Sequence, residues 1–122
     1  MTIQFDWLRY LDVADHLQLQ QGEEFFRSAT SRAYYGVFCS IRDILEQREG
    51  HPFPRNQSIH TEVVRVLRGD LRATVVRLGN DLDRLRRERN RADYQTNTRF
   101  KLSDGRISLR LARTIQSRIS GV

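Results

Sequence analysis

The stretch LRATVVRLGNDLDRLRRERNRADY, residues 71 to 94, carries the pattern that decides the fold class. As an α-helix, it would place five apolar residues on one narrow stripe, at spacings of three or four: Leu71, Val75, Leu78, Leu82 and Leu85. This pattern predicts an amphipathic helix packed against a core. Gly79 and Asn80 could break the helix, which would leave residues 81 to 93 as its continuous part.

The next position on the stripe holds Arg89, where the spacing favours another leucine. Burying an unpaired guanidinium group costs several kcal/mol, so Arg89 must have a partner or face a polar cleft. Asp93 lies one turn further on, and Tyr94 adds a hydroxyl group that can donate or accept. Two interpretations are open. Either the helix end reaches solvent and Arg89 complements its dipole, or Arg89, Asp93 and Tyr94 line an anion-binding cleft between helices.

Helical spacing recurs in four other segments, separated by short breaks. The predicted helices run from a cap at Asp6 to about residue 22, from residue 23 to about residue 50, from residue 56 or 58 to about residue 70, and onwards from a cap at Ser103 or Asp104. The last helix would have four residues on its core face: Ile107, Leu111, Ile115 and Ile119. The sequence therefore predicts one all-α domain over residues 1 to 122, an up-and-down bundle of four to five helices.

The second predicted helix is apolar over more than half of its circumference, which is typical of the central helix of a bundle. Its remaining face carries small, polar and cationic side chains: Ser28, Ser31, Arg32, Tyr35, Cys39 and Arg42. This ribbon is a second packing surface, one wall of a cleft, or a partly solvated face.

The basic charge of the chain is concentrated and is almost entirely arginine. The formal net charge is +6, and of 21 basic residues only Lys101 is a lysine. Nine arginines lie between residues 65 and 91 against four acids, and Arg86 and Arg91 are among them. Because the guanidinium fork matches phosphate, this pattern favours a nucleic-acid partner. The alternative is a composition bias that leaves a solvated basic face.

Several other classes of protein are disfavoured. The single cysteine, Cys39, excludes an intramolecular disulfide and fits a reducing compartment. The N-terminal residues lack a signal-peptide pattern and no apolar run approaches membrane length, so we expect a cytoplasmic protein without a membrane partner. His16, His51 and His60 lack metal-ligand spacing, and no cofactor motif is present.

Three motifs together resemble the small prokaryotic HEPN-domain proteins. They are the string Ser31-Arg32-Ala33-Tyr34-Tyr35-Gly36-Val37-Phe38, then His60 near the start of the third helix, then Arg89-x-x-Ala92-Asp93-Tyr94. The resemblance spans about residues 7 to 120. The two strings in this order and spacing are fairly specific, whereas either alone would be weak.

The resemblance implies a HEPN-like helical bundle that dimerises and cleaves RNA without a metal. In that family an arginine, followed four to six residues later by a histidine, meets its copy across the dimer in a basic groove. Many members are toxins neutralised by a nucleotidyltransferase-fold antitoxin. On this chain Arg89 matches the motif arginine and Tyr94 takes the histidine place. The implied catalytic residues are Arg89, Asp93 and Tyr94, and the implied RNA- or nucleotide-binding residues are Arg32, Tyr35, His60, Arg86 and Arg91.

The tyrosine in the histidine place bears on the chemistry. Metal-independent cleavage needs a base for the 2′-hydroxyl proton, a cation for the phosphorane charge and an acid for the leaving oxygen. Tyrosine ordinarily ionises near pH 10, so Tyr94 is a poor base unless nearby arginines depress its pKa, and His60 is the other candidate base. Two hypotheses follow: an endoribonuclease toxin, or a catalytically inactive HEPN module that binds nucleotide, RNA or a nucleotidyltransferase partner.

Overall fold

The computed structural model describes residues 4 to 122, and this part of the chain forms five α-helices with no β-strand. They are α1 (Tyr10–Gln18), α2 (Glu23–Glu49), α3 (Ile59–Arg68), α4 (Ala73–Tyr94) and α5 (Leu102–Arg118), with short 3-10 helices at Trp7–Arg9 and Ile119–Gly121. The predicted all-α helical bundle is confirmed. Among the described helices, none combines the length and the apolar character needed to cross a membrane.

Helix α2 is the central element, as its broad apolar face predicted. It packs against α1, α4 and α5, and its residues Ala33, Tyr34, Val37 and Ile41 are completely buried. At Gly36 the N-terminal segment crosses so closely that a Cβ atom would lie 3.1 Å from the carbonyl oxygen of Trp7. Because glycine has no side chain, the N-terminal segment that carries Trp7 and Tyr10 can pack directly on α2 at this position.

The N-terminal helix is divided into two parts. The carboxylate of Asp6 accepts a hydrogen bond from the backbone N–H of Leu8, so the predicted cap is present, but it caps a 3-10 turn. The α-helix proper begins at Tyr10. Leu11 and Ala14 fill the interface with α2, as the spacing predicted.

Helix α4 begins later than its leucine pattern predicted and runs without a break. Leu71 is fully exposed because Asp70 accepts a hydrogen bond from the backbone N–H of Arg72 and holds this segment in a turn. The break allowed at Gly79 does not occur. A Cβ atom there would lie 2.9 Å from the Cβ of Leu67, so glycine permits α3 to pack closely against α4. The remaining residues of the stripe are buried: Val75, Leu78, Leu82 and Leu85.

The start of α5 differs from the prediction. Neither Ser103 nor Asp104 is the capping residue, because Lys101 holds that position. The carboxylate of Asp104 accepts a hydrogen bond from the backbone N–H of Lys101 at 2.7 Å. Ile107 was predicted to face the core but is half-exposed. The buried face of α5 instead starts with small residues and ends with Ile115, and Ile119 is buried just beyond it, as predicted.

Candidate functional site around Arg89

Arg89 is buried at the end of the apolar stripe of α4, with only 5% of its surface exposed. Its guanidinium carbon lies 5.1 Å from the ring centre of Tyr34, 5.2 Å from that of Tyr35 and 5.9 Å from that of Tyr94. Attraction between a cation and aromatic rings offsets part of the cost of desolvating the charge. The interpretation of Arg89 as an ordinary solvent-exposed cation at the helix end is therefore wrong.

Few polar groups neutralise Arg89. Its Nη1 donates a hydrogen bond to the hydroxyl oxygen of Tyr35 at 3.1 Å and lies 3.7 Å from Oδ2 of Asp93. That same carboxylate oxygen also accepts a hydrogen bond from the hydroxyl group of Ser31 at 3.2 Å. The Nε atom of Arg89 is buried and has no hydrogen-bond partner within residues 4 to 122. The site therefore holds a charge that is only partly compensated.

The hydroxyl group of Tyr35 adds a second unused donor. A guanidinium group can only donate, so the Tyr35 oxygen is the acceptor in its bond with Arg89. Its own hydrogen has no acceptor among the hydrogen bonds of the described residues. Arg89 and Tyr35 together could thus donate to one anion, and no acid among the described residues uses both donors.

His60 and Tyr34 form a buried polar pair beside Arg89. The Tyr34 hydroxyl oxygen lies 2.6 Å from Nδ1 of His60. Burial raises the pKa of Tyr34, so its hydroxyl group stays protonated and donates to Nδ1, because it has no other acceptor. Burial, together with the charges of Arg89 and Arg86, lowers the pKa of His60 to about 4. His60 is therefore a neutral imidazole at physiological pH, with its hydrogen on Nε2.

Two further arginines flank the site without an acid partner. Arg86 is half-buried and donates from Nη1 to the hydroxyl oxygen of Thr61 at 3.3 Å, while its Nε is buried without a partner. The guanidinium carbon of Arg32 lies 5.1 Å from the ring centre of Tyr10 and 5.6 Å from that of Tyr35. Within residues 4 to 122, neither arginine has a carboxylate within 4.0 Å.

The structure brings together all of the predicted site residues except one. The Arg89 cluster comprises Ser31, Arg32, Tyr34, Tyr35, His60, Arg86, Arg89, Asp93 and Tyr94. Tyr94 lies at its outer edge with 70% of its surface exposed. Arg91 is elsewhere: it binds Asp104 at 2.7 Å and Glu88 at 3.0 Å, and its guanidinium lies over the ring of Phe100. These two acids therefore neutralise Arg91, and its ion pair with Asp104 links the start of α5 to α4.

Arg27 positions the cluster, a role that no local sequence pattern indicates. Its Nη1 donates to the carbonyl oxygens of Ala92 and Gln95 at 2.8 and 2.7 Å, and its Nη2 donates to that of Thr98 at 3.0 Å. The carbonyl groups of Ala92 and Gln95 at the end of α4 have no partner within the helix, and Thr98 lies in the connector that follows it. Arg27 therefore fixes the last turn of α4, where Asp93 and Tyr94 lie.

Comparison with known proteins does not identify a relative. No family model matches the chain, and no curated protein or solved structure matches it either. The HEPN resemblance therefore stays a prediction. Within residues 4 to 122 no group of three histidine, cysteine or acidic side chains is placed to hold a metal ion. The geometry of the Arg89 cluster is the basis for the proposals below.

Proposed function

We propose that this protein is a HEPN-type RNA-binding protein that holds an RNA phosphate at Arg89. One observation carries the proposal: Arg89 is only 5% exposed, yet its nearest carboxylate is 3.7 Å away and its Nε has no hydrogen-bond partner among the described residues. Native proteins rarely leave a buried charged donor unpaired, because the desolvation cost is not recovered. A phosphate group beside Tyr35 would accept from the free hydrogen of its hydroxyl group and would offset the charge of Arg89.

RNA is favoured over a small free anion by the surroundings of the site. The net charge of the chain is +6, and α4 supplies both Arg86 and Arg89. Attraction of this kind raises the local concentration of a polyanion. The exposed ring of Tyr94, next to the guanidinium of Arg89, offers a flat surface on which an unpaired base can stack.

A second candidate function is metal-independent cleavage of the bound RNA. The observation that favours it is the position of the His60 imidazole, paired with Tyr34 beside two arginines and neutral, since a general base must be deprotonated to act. Because its pKa is lowered to about 4, His60 would be a weak base, and we expect slow cleavage. In the reactive tautomer, Nδ1 of His60 would donate to the Tyr34 oxygen, and Nε2 would take the 2′-hydroxyl proton. Arg89 would offset the charge of the phosphorane, and Tyr94 would protonate the leaving 5′-oxygen.

One experiment separates binding from cleavage. Purified wild-type protein is incubated with labelled RNA and excess chelator, beside Arg89→Ala and the control Arg84→Ala, which removes an exposed arginine of α4 that has no acid partner. Chelator-resistant cleavage that is lost only in Arg89→Ala supports the nuclease. RNA that is retained intact by the wild type, but not by Arg89→Ala, supports the binding module. Wild-type protein that neither retains nor cleaves RNA contradicts both.

The homodimer and the toxin role rest on the HEPN resemblance of the strings at residues 31 to 38 and 89 to 94. In that arrangement two copies of Arg89 would share one groove, with Asp93 or a phosphate between the like charges. Light scattering that gives twice the monomer mass supports the dimer. Growth arrest on expression that Arg89→Ala abolishes, and that co-expression of a nucleotidyltransferase-fold partner relieves, supports the toxin role. Unimpaired growth with the wild type contradicts the toxin role.

A further inference from the structure

The arginines without an acid partner fall into two groups. Among the described residues, six of them are exposed to solvent: Arg9, Arg77, Arg84, Arg99, Arg106 and Arg110. The other two, Arg32 and Arg86, are half-buried, and both of them flank Arg89. Arg86 precedes Arg89 by one turn of α4, and Arg32 shares the ring of Tyr35 with it. The half-buried, unneutralised charge of the described chain is therefore concentrated in one place.

Elsewhere in the fold, half-buried arginines are neutralised from within the chain. Arg91 contacts two carboxylates, and Arg42 lies 2.9 Å from a carboxylate oxygen of Asp43. Within residues 4 to 122, the only carboxylate within 4.0 Å of Arg32, Arg86 or Arg89 is that of Asp93, which already accepts from Ser31. Because partly burying a cation without a counter-ion is costly, the missing anion is best supplied by a ligand.

Three unneutralised cations close to the rings of Tyr34 and Tyr35 favour several linked anionic groups over a single one. Arg86 and Arg89 are three residues apart on α4, which separates their backbones by about 4.5 Å along the helix axis. Arg32 comes from α2 and lies near the ring of Tyr35, which Arg89 also contacts. One phosphate at Arg89 would leave the charges of Arg32 and Arg86 unmatched. A strand carrying successive phosphates would match all three.

The aromatic rings between these arginines distinguish a single strand from a duplex. Tyr10 and Tyr35 lie against Arg32, while Tyr35 and Tyr94 lie against Arg89. Proteins that bind single strands combine such a cationic track with aromatic or guanidinium planes on which unpaired bases stack. In a duplex the base faces are already stacked within the helix. A duplex would therefore offer no unpaired base to stack on the exposed ring of Tyr94.

We infer that Arg32, Arg86 and Arg89, here called the arginine strip, bind single-stranded RNA along at least three successive phosphates, with one base stacked on Tyr94. This inference rests on the RNA-binding function proposed above and adds the strand state and the minimum length of the ligand. It also gives a physical basis for the binding role of Arg32 that the resemblance implied, although Arg32 lies on a different helix from Arg89.

Fluorescence anisotropy over a series of salt concentrations tests the strip. The probe is fluorescein-labelled oligouridine, compared with an RNA duplex of the same length. Three phosphate contacts predict that log K falls with log [salt] with a slope of about −2 for the single strand. Arg32→Gln and Arg86→Gln should each flatten that slope by about 0.7. Tyr94→Ala should weaken binding about fivefold or more and leave the slope unchanged. The matched control, Arg84→Gln, should behave like the wild type.

Several results would overturn the strip. If the protein binds the duplex as tightly as the single strand, stacking of bases on the tyrosine rings does not select single-stranded RNA. If Arg32→Gln and Arg86→Gln behave like Arg84→Gln, while Arg89 variants lose RNA, the phosphate site stands and the strip does not. If Arg32→Gln instead converts a dimer to a monomer without changing RNA affinity, the surface is an interface between copies of the chain. Failure of the wild type to bind any RNA refutes the proposed function itself.

A measurement on the unmutated protein makes the test independent of any folding defect in the variants. Phenylglyoxal modifies accessible guanidinium groups, and mass spectrometry locates the adducts. Saturating oligouridine should protect Arg32 and Arg86 and leave Arg84 and Arg106 reactive. Equal reactivity of Arg32 with and without oligouridine would contradict the inference.

Discussion

The hydroxyl oxygen of Tyr34 and the Nδ1 atom of His60 lie 2.6 Å apart, and their hydrogen bond joins the centre of α2 to the start of α3. Tyr34 is completely buried, so its hydroxyl group depends on His60 for a partner. His60 in turn packs against Phe38, with their ring centres 4.4 Å apart. The pair places the neutral imidazole of His60 beside Arg86 and Arg89. Protonation of His60 therefore links the stability of the fold to pH.

Lowering the pH should destabilise the protein through His60. Its pKa is lowered in the fold to about 4 from an ordinary value of 6.5, chiefly by burial. Between these values the unfolded chain binds a proton that the native state does not, so the free energy of unfolding falls as the pH drops from about 6.5 to about 4. At this half-buried position we expect a loss of about 1 to 2 kcal/mol. Urea unfolding of wild-type protein and His60→Gln over this range measures it; identical pH profiles would refute the assignment.

Replacing Asp93 with asparagine should tighten RNA binding. Asp93 is the carboxylate nearest to Arg89, and it would repel a phosphate at that site. Asparagine keeps an oxygen that can accept from Ser31 but removes the negative charge. We expect severalfold tighter binding and a steeper salt dependence, measured by anisotropy. Weaker binding would instead show that Asp93 holds Arg89 in its binding orientation.

Arg27→Lys should destabilise the end of α4. The guanidinium of Arg27 donates to the carbonyl oxygens of Ala92, Gln95 and Thr98, and a single ammonium group cannot reach all of them. We expect the free energy of unfolding to fall by about 2 to 3 kcal/mol. Urea denaturation measures the loss, with Arg106→Lys as a control at an exposed arginine. Equal stability of the two variants would mean that these hydrogen bonds contribute little.

Gly79→Ala should weaken the packing of α3 against α4. Alanine has the higher helix propensity, by about 1 kcal/mol. However, its Cβ would lie 2.9 Å from the Cβ of Leu67, which cannot move without shifting α3. We expect a net loss of about 1 to 2 kcal/mol in the free energy of unfolding. Gly69→Ala is the comparison, since its nearest contact would be 3.4 Å. A variant at Gly79 that is more stable than the wild type would contradict the close approach of the helices.

The arrangement of helices was predictable because burial repeats along the chain at helical spacing. The stripe from Val75 to Leu85 is buried, and the breadth of the apolar face identified α2 as the central helix. Single positions beside a turn were not predictable in this way. Leu71 continues the spacing of the stripe, but a hydrogen bond at Asp70 keeps it outside the helix. Phe100 lies in a polar connector but is buried, with the guanidinium groups of Arg27 from α2 and Arg91 from α4 near its ring.

Helical spacing alone predicted only those site residues that interrupt the apolar stripe of α4 or lie one turn from such a residue. Arg89 stood out because it occupies a leucine position, and Asp93 because it lies one turn further along the same helix. The partners that come from α2 and α3 could not be read from spacing. Contacts such as Ser31 with Asp93, and Tyr34 with His60, depend on how the helices pack. For the same reason the sequence could not show that Arg91 turns away to Asp104.

The affinity of Arg89→Met for oligouridine decides whether Arg89 holds an RNA phosphate. Methionine restores an apolar residue to the stripe of α4, and replacing a poorly compensated buried charge in this way is often neutral or stabilising. The variant should therefore fold at least as stably as the wild type. We predict that it loses RNA binding about tenfold or more, the loss of one charge-assisted phosphate contact, whereas Arg84→Met binds like the wild type. Arg89→Met protein that is folded and binds RNA as tightly as the wild type would contradict the account.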